Sequence, residues 1–202
     1  MKTKLINKTD ISLVVDALKA GEVVAFPTET VYGLGVIFDN YSAYLKLVEV
    51  KRRPPTQPFT LMCGKVEDIE KYAQIDERTR KIIESFMPGP LTIIVRVQQD
   101  VPRFVTLDTG YIGIRISKSS LVSDLINQVG RPLLVPSANK HGQAPALKGS
   151  EAQNIFNGEI PYVIDGESIS NIPSTIIKID DKIELIRAGN IPFEKIKQVA
   201  GE

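Results

Sequence analysis

The residues able to do chemistry fall in short polar clusters, each beside an apolar run. Residues 26–35 read FPTETVYGLG, so Thr28, Glu29 and Thr30 follow a β-leaning segment over 21–26. Ser137 and Asn139 follow the apolar run at 133–135, and Ser174 and Thr175 directly precede Ile176 and Ile177. Cations recur among them: Lys51 and Arg53 ahead of prolines, Arg115 between Ile114 and Ile116, and Arg187 closing an apolar stretch. Hydroxyls at 28, 30, 137, 174 and 175 with cations at 51, 53, 115 and 187 describe a polar, anion-seeking cavity lacking an obvious nucleophile or metal cluster. Such a cavity works by positioning reactants and stabilising phosphoryl charge.

Each cluster also has a plainer reading. Lys51 and Arg53 either hold phosphate oxygens at two points or offset the dipole at a helix C-terminus. Ser137 and Asn139 either project together from a persisting strand or cap a turn. Arg115 is costly to bury alone, so it meets either a protein carboxylate or an anionic ligand. The glycines of YGLG make neither a P-loop nor a dinucleotide fingerprint, because the residues those motifs require do not follow.

The bulk composition narrows the classes. With 202 residues, 43% of them hydrophobic, the chain has enough apolar material for one sizeable core. Lysine plus arginine number 25 against 24 acids, so no general pull toward nucleic acid or membrane exists and anion binding must come from local clustering. One cysteine, Cys63, excludes an intramolecular disulfide, and one histidine, His141, leaves no structural zinc set. No run is long enough to span a bilayer, and MKTKLINKTD carries no signal-like apolar core, so a cytoplasmic location is expected.

Alternating strands and helices must position these groups. The spacing of Ile11, Val14, Val15 and Leu18 predicts a helix capped by Thr9 or Asp10 and stopped at Gly21. A second helix opens at Asn40 or Ser42 and ends at Pro54 and Pro55; others are expected near 66–73, 77–86, 120–129 and 150–156, the last two with serine caps. Strands are expected at 59–62, 91–97, 112–117, 133–136, 162–164, 175–179 and 183–187, with YGLG as loop and a tail helix from Ile191. Irregular alternation argues for an α/β fold with a mixed sheet.

Seven segments occur in the order found in a known family. FPTETVYGLG, Lys51-x-Arg53-Pro54, Pro88-Gly89-Pro90-Leu91-Thr92, Gly113-x-Arg115, Pro136-Ser137-Ala138-Asn139, Ser174-Thr175 and Arg187-x-Gly189 resemble the YrdC/TsaC family of threonylcarbamoyl-AMP synthases over about 21–189. The resemblance implies one domain over 1–202, with a core of about 9–189 and a tail helix over 190–202. Its fold would be a twisted open mixed sheet flanked by helices around a positively charged cavity. It implies a nucleotidyltransferase that converts L-threonine, bicarbonate or CO2 and ATP to threonylcarbamoyl-AMP and pyrophosphate for the t6A modification of tRNA. Thr30, Arg115, Ser137 and Ser174 would hold threonine. Lys51, Arg53, Gln57, Tyr111, Asn139 and Arg187 would hold ATP, with Lys51 and Arg53 acting electrostatically and no general base assigned. Mg2+ would ride in on ATP rather than occupy a protein cage. A downstream t6A transferase complex and a tRNA contact are the implied partners.

The chain departs from the family pattern in places. Met62 stands where one branch has a histidine, and Phe59-Thr60-Leu61-Met62-Cys63 resembles a YciO-like branch. His141-Gly142 and Leu147 replace the usual residues after Ser137-x-Asn139, and the additional C-terminal domain of the longer form is not expected. Two alternatives therefore accompany the synthase reading: a non-catalytic YciO-like nucleotide- or RNA-binding paralogue, and carbamoyl-adenylate chemistry with a different acceptor.

Overall fold

The computed structural model describes residues 2–54 and 56–202; Pro55, expected with Pro54 to end the second helix, lies outside the described residues. Ten strands form one mixed sheet: β1 (Lys4–Ile6), β2 (Val24–Phe26), β3 (Gly33–Ile37), β4 (Leu61–Cys63), β5 (Leu91–Arg96), β6 (Tyr111–Ile116), β7 (Leu133–Leu134), β8 (Tyr162–Ile164), β9 (Thr175–Ile179) and β10 (Ile183–Arg187). Their spatial order is β1-β8-β2-β3-β7-β4-β6-β5-β9-β10. Parallel pairs such as β4/β6 and β5/β9 alternate with antiparallel ones such as β2/β3 and β5/β6, as the irregular alternation in the sequence predicts. The helices are α1 (Ile11–Lys19), α2 (Tyr41–Lys51), α3 (Glu77–Phe86), α4 (Arg103–Thr106), α5 (Ser120–Val129), α6 (Gly149–Ile155) and α7 (Phe193–Ala200). No helix among the described residues is long and apolar enough to cross a membrane.

The period-two alternation of the strands divides their side chains between two apolar clusters. Val24, Phe26, Met62 and Leu133 pack with Val14 and Leu18 of α1 and Val122 and Leu125 of α5. Ala25, Leu61, Cys63 and Leu134 enter the other cluster, with Leu47 of α2, Ile82 of α3 and Ile196 of α7. The Asn40 side chain accepts the Ala43 N–H and opens α2, while Arg52, in the left-handed region at φ 51°, ends it.

Several sequence expectations need correction. Gly33 and Gly35 lie inside β3 rather than a loop, because a Cβ there would come within 2.6 Å of Val135 Cγ1 and of Phe26 Cε1 respectively. Close packing, not turn formation, demands these glycines. Residues 66–71 form a 3-10 helix rather than an α-helix. A serine, Ser119, stands at the N-cap of α5 as expected but its side chain makes no capping bond, while α6 is capped by Lys148 rather than serine, with the Glu151 carboxylate accepting from the Leu147 and Lys148 N–H groups. The strand at 133–136 stops at Leu134, and Val135 to Ser137 run along a cavity. The sequence signals for β1 and α4 were too short to register, at three and four residues.

After β10 the chain crosses back over the start of β9. The Thr175 hydroxyl donates to Ile191 O and accepts the Ile191 N–H, and a Cβ on Gly189 would come within 2.3 Å of Thr175 N and 2.4 Å of Pro173 O. These are backbone atoms, so relief requires moving the chain. Gly189→Ala is expected to lower unfolding free energy by about 1–3 kcal/mol in urea titrations; an unchanged midpoint and slope would contradict this packing.

Candidate active site

A cavity of 650 Å³ opens on one side of the sheet, lined from the β2–β3 loop, the segment after α2, the outward residues of β5 and β6, and the ends of β7, β9 and β10. Of the residues singled out in the sequence, Thr30, Arg53, Gln57, Tyr111, Arg115, Ser137, Ser174 and Arg187 line it. Lys51 and Asn139 do not, and they lie buried behind Ser137. Thr28 and Thr175 are also buried in the scaffold, bonded to Val31 O and Ile191 O.

Arg115 reaches the cavity from β6 in the middle of the sheet. Its Nη2 donates to Glu29 Oε1 at 2.7 Å and to Thr30 Oγ1 at 3.0 Å, and its Nε donates to Gly89 O at 3.3 Å. Both partners of the ion pair are only 8% exposed. Of the two readings of Arg115, the structure supplies the protein carboxylate, while Nη1 has no protein acceptor among the described residues. Burial alone would raise the Glu29 pKa. The Arg115 charge, the Ser117 hydroxyl and the Lys118 N–H together outweigh it and hold the carboxyl below its ordinary value. Sequence reasoning passed over Glu29 as a site residue, although it is the one acid in FPTETVYGLG.

Another part of the lining is built on Ser174. Its hydroxyl lies 2.9 Å from Thr92 Oγ1, and Arg187 Nη2 donates to Ser174 O at 2.9 Å and Ser174 Oγ at 3.1 Å. Burial and then the Arg115 charge push the Arg187 pKa down, a cost that an anion in the cavity would offset. Thr92 was missed as a site residue. Its signal was the alternation along β5, which turns Thr92 and Ile94 toward the cavity and Leu91, Ile93 and Val95 into the core.

Arg53 lies over the Phe59 ring at 5.2 Å and donates from Nη2 to Gln57 Oε1 at 2.7 Å. Its Nε is buried with no partner among the described residues. The residue lines the cavity with no carboxylate partner among the described residues, so a ligand anion suits its guanidinium. Tyr111 contributes its ring: the hydroxyl is taken by the Asp180 carboxylate, and Lys178 Nζ sits 4.0 Å from the ring centre. Arg53, Arg115, Lys178 and Arg187 line the cavity, with no Asp or Glu among the lining residues described.

Lys51 has a different setting from the one its place beside Arg53 suggested. Its Nζ lies 2.5 Å from Ser137 O, 2.6 Å from Asn139 Oδ1 and 3.3 Å from Ser137 Oγ. Ser137 and Asn139 therefore converge, but on Lys51 and not side by side on a strand. Met62 lines the cavity, whereas His141 and Leu147 do not. Among the described residues, no three His, Cys, Asp or Glu side chains gather to hold a metal.

Comparison with known proteins places the chain among relatives of the same fold. A family model named for Sua5, YciO and YrdC, described as telomere recombination, matches residues 16–189. A Pyrococcus abyssi protein named threonylcarbamoyl-AMP synthase is 32% identical over 200 residues, covering 98% of this chain and 59% of its own length. The chain thus spans about three fifths of that relative. A Methanocaldococcus jannaschii relative is 36% identical over 207 residues, covering 97% of this chain and 98% of its own. The crystal structure of P. abyssi Sua5 complexed with L-threonine superposes with a TM-score of 0.92 at 32% identity, over 100% of this chain and 60% of that one.

The Glu29–Arg115 pair yields a stability prediction. Glu29→Gln leaves a buried guanidinium without its counter-charge and is expected to cost on the order of 3 kcal/mol at neutral pH. Because the folded pKa of Glu29 is depressed, its stabilisation is full above the unfolded value of about 4.5 and is lost as pH falls through the lower folded value. Urea unfolding across that acid window should show wild type and variant converging; a constant gap would assign the stabilisation elsewhere.

Proposed function

The chain belongs to the Sua5/YciO/YrdC family, and from that footing we propose that it makes L-threonylcarbamoyl-AMP and pyrophosphate from L-threonine, bicarbonate or CO2, and ATP. The observation that carries the reading is the presence in one cavity of two differently built cationic walls. One is Arg115 with Thr30, and the other is Arg53 with Gln57. An amino-acid carboxylate suits the first and a polyphosphate the second.

On this reading Arg115 offers Nη1 to the threonine carboxylate while Glu29 and Thr30 keep the guanidinium from turning. Ser137 and Ser174 hold the amino acid's polar groups. Arg53, Gln57 and Arg187 take the phosphates, the Tyr111 ring flanks the nucleotide, and Asn139 and Lys51, outside the cavity lining, hold Ser137 in place. The threonine nitrogen forms a C–N bond to CO2. A carbamate oxygen then attacks the α-phosphorus in line, the bond to the β-phosphate oxygen breaks, and pyrophosphate leaves. The cations lower the barrier by neutralising charge that spreads onto the phosphate oxygens. Mg2+ would enter with ATP, held by phosphates and water, since the cavity lining has no carboxylate cage to hold it independently. As a nucleotidyltransferase of the cytoplasm, the protein would supply its adenylate to the transferase complex that completes t6A, with tRNA as that complex's substrate.

Pyrophosphate release from ATP, measured with threonine and bicarbonate supplied or withheld in turn, tests the reading. Release should require both co-substrates. Turnover indifferent to threonine would indicate another acceptor, and no release under any condition would favour a binding paralogue.

Two variants separate the walls. Arg53→Ala should weaken ATP binding by roughly tenfold or more, the scale of a lost charge-assisted hydrogen bond. Arg115→Lys keeps a charge beside Glu29 but loses the planar fork, so the KM for threonine should rise well beyond that for ATP. Equal effects on both substrates would remove the division of labour.

A further inference from the structure

We propose that Lys51 and Ser137 form a proton-transfer pair that accepts the proton leaving the threonine nitrogen as the carbamate forms, an assignment that rests on the synthase reading above. Ser137 is the member that touches the cavity, and Lys51 lies directly behind it at 3% exposure. Ser137 would be the residue in contact with substrate and Lys51 the reservoir it draws on.

The oxygens around Lys51 Nζ define which protonation states fit. Ser137 O, at 2.5 Å, and Asn139 Oδ1, at 2.6 Å, can only accept. The Asn139 amide cannot be turned to present its nitrogen instead, because Nδ2 already donates to Lys140 O at 3.0 Å and Gln143 O at 2.7 Å. A neutral amine has two N–H donors for those two acceptors. Its lone pair is then left for the third neighbour, Ser137 Oγ at 3.3 Å, a hydroxyl and so the one partner able to donate. The ammonium form places its third proton along the same line. Proton transfer between the two residues therefore requires no heavy atom to change partners. When Lys51 is charged, the Ser137 hydroxyl has an alternative acceptor in Asn139 Oδ1 at 2.7 Å.

The surroundings favour a lysine that can give up its charge. No carboxylate pairs with Lys51 among the described residues. Arg53, two residues along, repels it. Lys140 donates to Val50 O and pairs with Glu159, and His141 approaches only through its backbone N–H to Lys51 O. Burial, with Arg53 adding to it, pulls the Lys51 pKa to about 7, where a general base works best near neutral pH.

One N–H bond of the threonine ammonium breaks and its proton goes to Ser137 Oγ as the serine proton passes to Lys51 Nζ. The freed nitrogen lone pair forms the C–N bond to CO2. The second nitrogen proton leaves to water, and the resulting carbamate is the nucleophile toward the α-phosphorus.

The test is the pH dependence of kcat/KM for pyrophosphate release, which reports the free enzyme's pKa values, in wild type, Lys51→Met and Ser137→Ala. Wild type should lose activity on an acid limb near pH 7. Both variants should lose that limb and about 10²-fold or more in kcat/KM, while ATP affinity by calorimetric titration stays within roughly threefold. Ser137→Ala keeps the two short Lys51 contacts, so it carries the test if Lys51→Met does not fold. Lys51→Ala should regain part of its rate with added methylamine. An acid limb unchanged in Ser137→Ala, or ATP affinity falling in step with kcat/KM in Lys51→Met, would overturn the pair and leave the synthase reading intact. Wild-type release that needs neither threonine nor bicarbonate would overturn the synthase reading and the pair with it.

Discussion

A guanidinium buried in the middle of the sheet constrains everything around it. Arg115 occupies a strand flanked on both sides by other strands, where an unpaired charge is untenable. Glu29 must therefore fold back from the β2–β3 loop to meet it, and in doing so it draws Thr30 to the cavity edge. The same carboxylate is gripped by Ser117 and Lys118 just after β6, so the loop is tied at both oxygens. One ion pair thus sets the position of the loop, the orientation of the arginine and the boundary of the cavity.

The cavity's remaining walls follow the same economy, in which backbone and small polar groups place a few cations. Arg187 is braced on Ser174, and Ser174 on Thr92, across adjacent strands. Arg53 is braced on Phe59 and Gln57. Among the four cations of the lining, Arg115 alone has a buried carboxylate partner, and the like charges lower the Arg187 pKa in addition to burial. An anionic ligand relieves this imbalance, which is why the arrangement reads as a phosphate and carboxylate receptor rather than a stabilising network.

The strands that cross the core were legible because their alternation is strict. Leu91, Ile93 and Val95 share one apolar cluster, and the 91–97 and 175–179 segments lie where periodicity put them. The glycines of YGLG misled because their low strand propensity hides a packing requirement: Phe26 and Val135 lie against them in space, and nothing local signals that contact. The partner of Arg115 was equally invisible, since Glu29 and Arg115 are 86 residues apart and only the sheet order brings them together. Lys51 shows the limit of reading a motif by spacing alone. One residue separates it from Arg53, yet Arg53 lines the cavity while the Lys51 amine serves Ser137 and Asn139 behind the wall.

On the proposed function, this cavity recognises an amino acid by its carboxylate through an arginine held in place by Glu29. Calorimetric titration of the protein with L-threonine and, separately, with L-threoninol, which replaces the carboxylate by an alcohol, tests it most directly. Threonine should bind with measurable heat and threoninol at least about tenfold more weakly, the scale of one lost charge-assisted contact. Equal affinity for the two would contradict the account.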